Sequence, residues 1–171
     1  MKKTITPFTA QLVTFDTTLA IREVITRLDK QVNKSGSAQF LQHFRTVTSK
    51  AEIEQVVQNV LGENDLLYFQ ELSHDQWLTK YEPEGFVHPV ALVYTIGNPL
   101  IAQTAMQHDI RAGYAVPLRL MILEKADGTG TNVIYHLPSS VMALTNNLEL
   151  QAVVQGLDEK LEKLASSITT D

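Results

Sequence analysis

The chain has 171 residues, of which 44% are hydrophobic and 19% charged, the size and balance of one ordinary globular domain able to enclose its own core. Fourteen basic against nineteen acidic side chains leave a net charge of −5 with no basic run, which counts against nucleic acid and against an anionic membrane surface as partners. Cysteine is absent, which excludes disulfides, thiolate nucleophiles and zinc–thiolate sites and leaves only oxygen and imidazole chemistry.

After Met1-Lys2-Lys3, the stretch Thr4 to Thr18 is broken by Thr, Pro, Gln and Asp and holds no apolar signal-peptide core. No segment approaches the roughly 20 apolar residues of a membrane-spanning helix, so a cytoplasmic location is expected. Thr9 to Phe15 carries β-branched and aromatic residues and predicts strand one, with Pro7 just outside it. Asp16 and Thr17 can cap a helix, and Ile21, Val24, Ile25, Leu28 and Val32 repeat at helical spacing. Lys34-Ser35-Gly36-Ser37 ends that helix, and Ala38, Leu41 and Phe44 predict a short second one.

Ser49-Lys50-Ala51-Glu52 reads as a capping box that opens a third helix, with Ile53, Val56, Val57, Val60 and Leu61 on one face and Gly62 as its stop. Leu66 to Leu72 predicts strand two. Ser73-His74-Asp75-Gln76 reads as another capping box, opening a short helix through Trp77 and Tyr81. Val90 to Ile96 is apolar almost throughout, which predicts a central strand covered on both faces. Gly97-Asn98 makes a turn, Pro99 suits the first helical position, and a helix follows to about Asp109.

Leu118 to Leu123 and Val133 to Leu137 predict two antiparallel strands joined through the turn from Asp127-Gly128 to Asn132. Pro138-Ser139-Ser140 starts a short helical turn. Leu150, Val153, Val154, Leu157, Leu161 and Leu164 define a long terminal helix, with Ser166 to Asp171 expected to fray. The order β-α-α-α-β-β-α-β-β-α predicts an α+β fold in which helices cover one side of a mainly antiparallel sheet. No linker divides the chain, so a single domain over 1–171 with a helical insertion at about 34–62 is expected.

The run Val93-Tyr94-Thr95-Ile96-Gly97-Asn98-Pro99-Leu100-Ile101, followed by Met106, His108, Tyr114, the strand from Leu118 and Tyr135, resembles the domain-of-unknown-function family 302. The resemblance is specific over Val90 to Tyr135 and is one of pattern elsewhere. It implies an α+β fold of the TATA-binding-protein-like type and a homodimer, and it implies no activity. An Asp-His pair that family members often carry after strand two is Ser73-His74 here, which removes the carboxylate from beside the imidazole.

Gly97-Asn98-Pro99, at a strand end leading into a helix N-terminus, can hold an anion or serve only as a turn and helix start. The five histidines show no HxH, HxxxH or HExxH spacing, so no metal site is predicted, and no phosphate-loop, dinucleotide or GxSxG pattern occurs. Nothing in the sequence names a cofactor. Ser139-Ser140 reads as a helix cap. Trp77 and Tyr81, four apart, either pack in the core or line an apolar pocket with Met106, and Arg111 and Arg119 are candidates to meet an anion there.

The expected ligand-binding set is Asn98, Pro99, His74, Met106, His108 and Arg111. The leading expectation is a non-catalytic protein that binds a small apolar or anionic molecule near the Gly97-Asn98-Pro99 turn. The alternatives are an enzyme that moves protons with His74, Glu71 or His108, and a structural dimerisation module.

Overall fold

The computed structural model describes residues 1–170. Five strands, β1 (Leu12–Thr17), β2 (Leu67–Ser73), β3 (Ala91–Gly97), β4 (Leu118–Glu124) and β5 (Thr131–His136), form one sheet in the order β1-β5-β4-β3-β2, with every neighbouring pair antiparallel. The helices are α1 (Ile21–Gln31), α2 (Lys34–Ser37), α3 (Phe40–Phe44), α4 (Lys50–Leu61), α5 (His74–Leu78), α6 (Pro99–His108), α7 (Pro138–Met142) and α8 (Leu148–Thr169). The fold is α+β. Among the described residues no helix is long and apolar enough to cross a membrane.

The main core lies between one face of the sheet and helices α1 and α8. The α1 stripe Ile21, Val24 and Leu28 meets Leu150, Val154, Leu157 and Leu161 of α8 over Tyr94, Ile96, Leu120, Ile122 and Val133 of the sheet. Fully burying a Leu or Val side chain contributes about 1.5–3 kcal/mol, so this layer dominates the stability. The terminal helix does not fray at Ser166. Ala165 and Ile168 are fully buried and carry it to Thr169, while Asp171 lies outside the described residues.

A second, smaller core gathers Phe40, Val56, Val57, Leu61 and Leu67, with Phe44 and Phe69 against them. Adjacent residues of the chain, Leu66 and Leu67, belong to different cores, because successive side chains at the start of β2 point to opposite faces. Helices therefore occupy both sides of the sheet, not one. The helical stretch between α1 and β2 is the reason, since α3 and α4 fold back over the second face at the β2 edge.

Three local expectations shift for physical reasons. Strand one begins at Leu12 and not at Thr9, because its partner β5 ends at His136, opposite Leu12. β3 is flanked by strands on both sides, yet Val93 on its second face belongs to neither core and stays half-buried. Ser73 does not cap α5; its hydroxyl donates to Asp75 Oδ1 at 2.7 Å. Ser49 does cap α4, accepting from the Glu52 amide at 3.3 Å, while the Glu52 carboxylate takes up the Thr48 amide at 2.8 Å.

Two buried tyrosines give the fold an alkaline limit. Tyr135 stacks on Phe15 at 6.3 Å, and burial, with Glu162 and Asp158 nearby, pushes its phenol up to about 12. Burial and a hydrogen bond to Asp29 likewise raise the phenol of Tyr94. A proton held more tightly in the folded state stabilises the fold fully below the ordinary tyrosine pKa of about 10 and is lost as the pH climbs through the folded value. Denaturant melts at stepped pH should thus show stability dropping between pH about 10 and 12, and Tyr135→Phe should flatten part of the drop.

Candidate functional site

The sequence around β2 contains one residue more than its partner needs. Tyr68 pairs with Ile96 and Gln70 with Thr95, which leaves Phe69 as a β-bulge. A bulge shifts the alternation of side chains by one. Phe69 and Gln70 consequently share the second face, and Glu71 turns to the first, opposite Tyr94.

On that first face Glu71 completes a polar cluster at the sheet edge. Lys34 Nζ donates to Glu71 Oε2 at 2.6 Å and to Tyr94 Oη at 3.2 Å, and lies 3.4 Å from Asp29 Oδ1. Tyr94 Oη in turn donates to Asp29 Oδ1 at 2.8 Å. Burial opposes the charge on Lys34, but the hydrogen bond to Glu71 and the field of Asp29 outweigh it and raise its pKa. A tightly held ammonium is a poor nucleophile and a poor base. The cluster fastens the junction of α1 and α2 to the sheet, with the ammonium also 5.0 Å from the Tyr94 ring centroid.

On the second face the bulge helps to build a cavity of about 360 Å³. Phe40, Leu41 and Phe44 of α3 form one wall, Phe69 and Gln70 of β2 with Thr95 and Gly97 of β3 form the floor, and Asn98, Pro99, Ile101 and Ala102 close one end. Val116 and Pro117, joined by a cis peptide bond, and Leu118 complete it with Leu157. The rings of Phe40 and Phe44 stand 5.2 Å apart and those of Phe40 and Phe69 5.8 Å apart. Gly97 permits this packing, since a Cβ there would sit 3.2 Å from Phe69 Cε2. Among the described residues no Lys, Arg, His, Asp or Glu lines the space.

Of the residues expected at a ligand site, Asn98 and Pro99 line this cavity. Asn98 is also the cap of α6: its Oδ1 accepts from the Leu100 amide at 3.0 Å and its Nδ2 donates to the Asp65 carbonyl at 3.1 Å. Its amide is thus largely committed to the fold. Asp65 is held in place by Lys160, whose hydrogen bond keeps the carboxyl below its usual range, with Lys163 assisting.

The other expected residues lie elsewhere. His74 sits past the far end of β2; Ser73 pairs with Leu92, five residues from Gly97, or about 17 Å along the strand. There its Nδ1 accepts from Trp77 Nε1 at 3.2 Å, and Trp77 packs edge to face on exposed Tyr81 at 6.0 Å. His108 is exposed at the opposite end of α6 from Asn98. Met106 packs on Gly113, and Arg111 forks onto Asp109 with contacts of 2.9 and 2.7 Å. Glu71, His74 and His108 thus each have separate surroundings, and among the described residues no three acidic or imidazole groups gather as metal ligands.

Most of the cavity wall was not legible as a site. Phe44 was read with Ala38 and Leu41 as the stripe of a short helix and Phe69 fell inside strand two, while Phe40, the most buried of the three, was not singled out.

A helix-backed antiparallel sheet whose second face is partly roofed by α3 and α4 defines an α+β fold with an apolar cavity at the sheet end. Residues 42–168 match the Domain of unknown function DUF302, and the chain belongs to that family. The crystal structure of an uncharacterized conserved DUF302 protein from Bacillus stearothermophilus is similar in fold, with a TM-score of 0.63, 14% identity, and coverage of 92% of this chain and 97% of that one. No curated protein matches the chain.

Proposed function

We propose that this protein is a non-catalytic binder of a small apolar molecule, held in the cavity between α3 and the β2–β3 floor. The observation that carries the reading is a cavity of about 360 Å³ walled by three phenylalanines and lacking any charged side chain, the usual character of a small-molecule site. An anionic ligand loses support at this place, because no cation among the described residues lines it and the helix N-terminus at its end, that of α6, is capped by Asn98.

Titration with the fluorophore N-phenyl-1-naphthylamine, with 1-decanol as a non-aromatic second probe, tests the reading. At least one should bind saturably at one site, and Leu41→Trp, which fills the cavity from an exposed position, should reduce that binding at least tenfold. Absence of saturable binding by both probes overturns the proposal.

A second reading, a homodimer through the open sheet face, is favoured by a specific pattern. Leu72, Val93, Met121, Ile134 and Thr14 lie in register across all five strands and belong to neither core. The row to one side carries Arg119 and His136, and the row to the other carries Asn132 and Asp16. A two-fold axis along the apolar row places it on its copy and sets the row of Arg119 over that of Asn132 and Asp16, whose carboxylate also pairs with Lys125 at 2.7 Å. Asn132 Oδ1, shielded and without a donor among the described residues, lies in that second row. Light scattering after size exclusion should report a dimer that Met121→Glu converts to monomer; a wild-type monomer at about 50 μM removes this reading, since stable complexes bind well below that concentration.

A further inference from the structure

We infer that the ligand class is flat, uncharged and aromatic, with a single hydrogen-bonding oxygen or nitrogen directed at Gln70; this rests on the cavity reading and narrows it. The first ground is charge. Burying an ion without a partner is strongly unfavourable, and the lining offers none, so both anions and cations are discriminated against.

The second ground is shape. Phe69 lies close over the backbone of Gly97, Phe40 and Phe44 stand tilted beside it, and Pro117 adds another ring. Such walls give a planar ring offset-stacked and edge-to-face contacts that a flexible alkyl chain cannot make. A chain also loses more rotamer freedom on entering.

The third ground is hydrogen bonding. Three polar side chains line the cavity, and two are engaged. Asn98 uses its amide on Leu100 and Asp65, and Thr95 donates its hydroxyl to the Gln70 carbonyl at 3.3 Å. The Gln70 side-chain amide makes no hydrogen bond among the described residues and is exposed. It can donate and accept, which suits a phenol, a quinone-type carbonyl or a ring N–H.

Competition against N-phenyl-1-naphthylamine decides the matter. Its sulfonated relative 8-anilinonaphthalene-1-sulfonate shares the skeleton and adds one negative charge, and 1-decanol is neutral but neither flat nor aromatic. The neutral aromatic amine should bind at least tenfold more tightly than either. In wild type 1-naphthol should compete several-fold better than naphthalene, and Gln70→Leu, a change at an exposed position, should abolish that preference. Equal binding of the sulfonate or of decanol overturns the ligand class but leaves the cavity reading intact. A naphthol preference that survives Gln70→Leu overturns the role of Gln70. Saturable binding by none of the probes overturns the class and the cavity reading together.

Discussion

Alanine at position 130 should destabilise the protein by about 3 kcal/mol or more, enough to lower its melting temperature by roughly 6–12 °C or to prevent folding at 37 °C. Gly130 has a φ of +143°, a backbone conformation that an L side chain rarely adopts. A Cβ there would lie 2.0 Å from the Thr17 carbonyl oxygen and 2.8 Å from the Thr18 Cα, both backbone atoms that no rotamer change can move. The site is also a junction. Lys125 donates its amide to the Gly130 carbonyl at 2.9 Å, and the next residue, Thr131, pairs with Thr17 and donates its hydroxyl to the Leu19 carbonyl at 2.9 Å.

Gly128 in the same hairpin provides the control. Its φ is +71°, but nothing lies within 4 Å of a Cβ there, so Gly128→Ala should cost only about 1 kcal/mol. Thermal melts of the two variants side by side check the argument. Equal losses would show that conformation alone, and not the approach of β1, sets the demand at 130.

Phe40→Ala should cost about 3 kcal/mol and should also abolish probe binding. Phe40 is 3% exposed and stands between Phe44 and Phe69, so its removal empties the centre of the smaller core and frees α3 from the sheet. The main core, on the other face, does not contain it. Leu41→Ala, one residue on and 37% exposed, should cost under about 1 kcal/mol. Denaturant melts followed by circular dichroism, with N-phenyl-1-naphthylamine titrations of each variant, separate the two effects. Retained binding in Phe40→Ala would mean that α3 does not form the cavity wall.

What the sequence disclosed was chemistry local to the chain. The α1 stripe Ile21, Val24, Leu28 and Val32 is buried as its spacing requires, and the Asn98-Pro99 start of α6 follows from a short polar cap and a proline that needs no amide proton. What it withheld depends on partners distant along the chain. Nothing in Tyr68-Phe69-Gln70 marks a bulge: no glycine or proline is present, and only the pairing of β2 with β3 creates it. The cavity has the same origin, because Phe69, Pro117 and Phe44 meet only once α3 has folded over the second face. The extent of α8 was missed because Ser166-Ser167 resembles a frayed end, whereas burial of Ile168 decides it.

The bulge at Phe69 has one further consequence, for how this sheet meets other molecules. β2 is an outer strand, and an outer strand with a regular row of unpaired amides and carbonyls is a template on which another chain can grow. The extra residue breaks that row near its middle and increases the local twist, and the charged Glu71 lies two residues on. The bulged residue that helps to line the cavity floor therefore also guards the strand edge against aggregation.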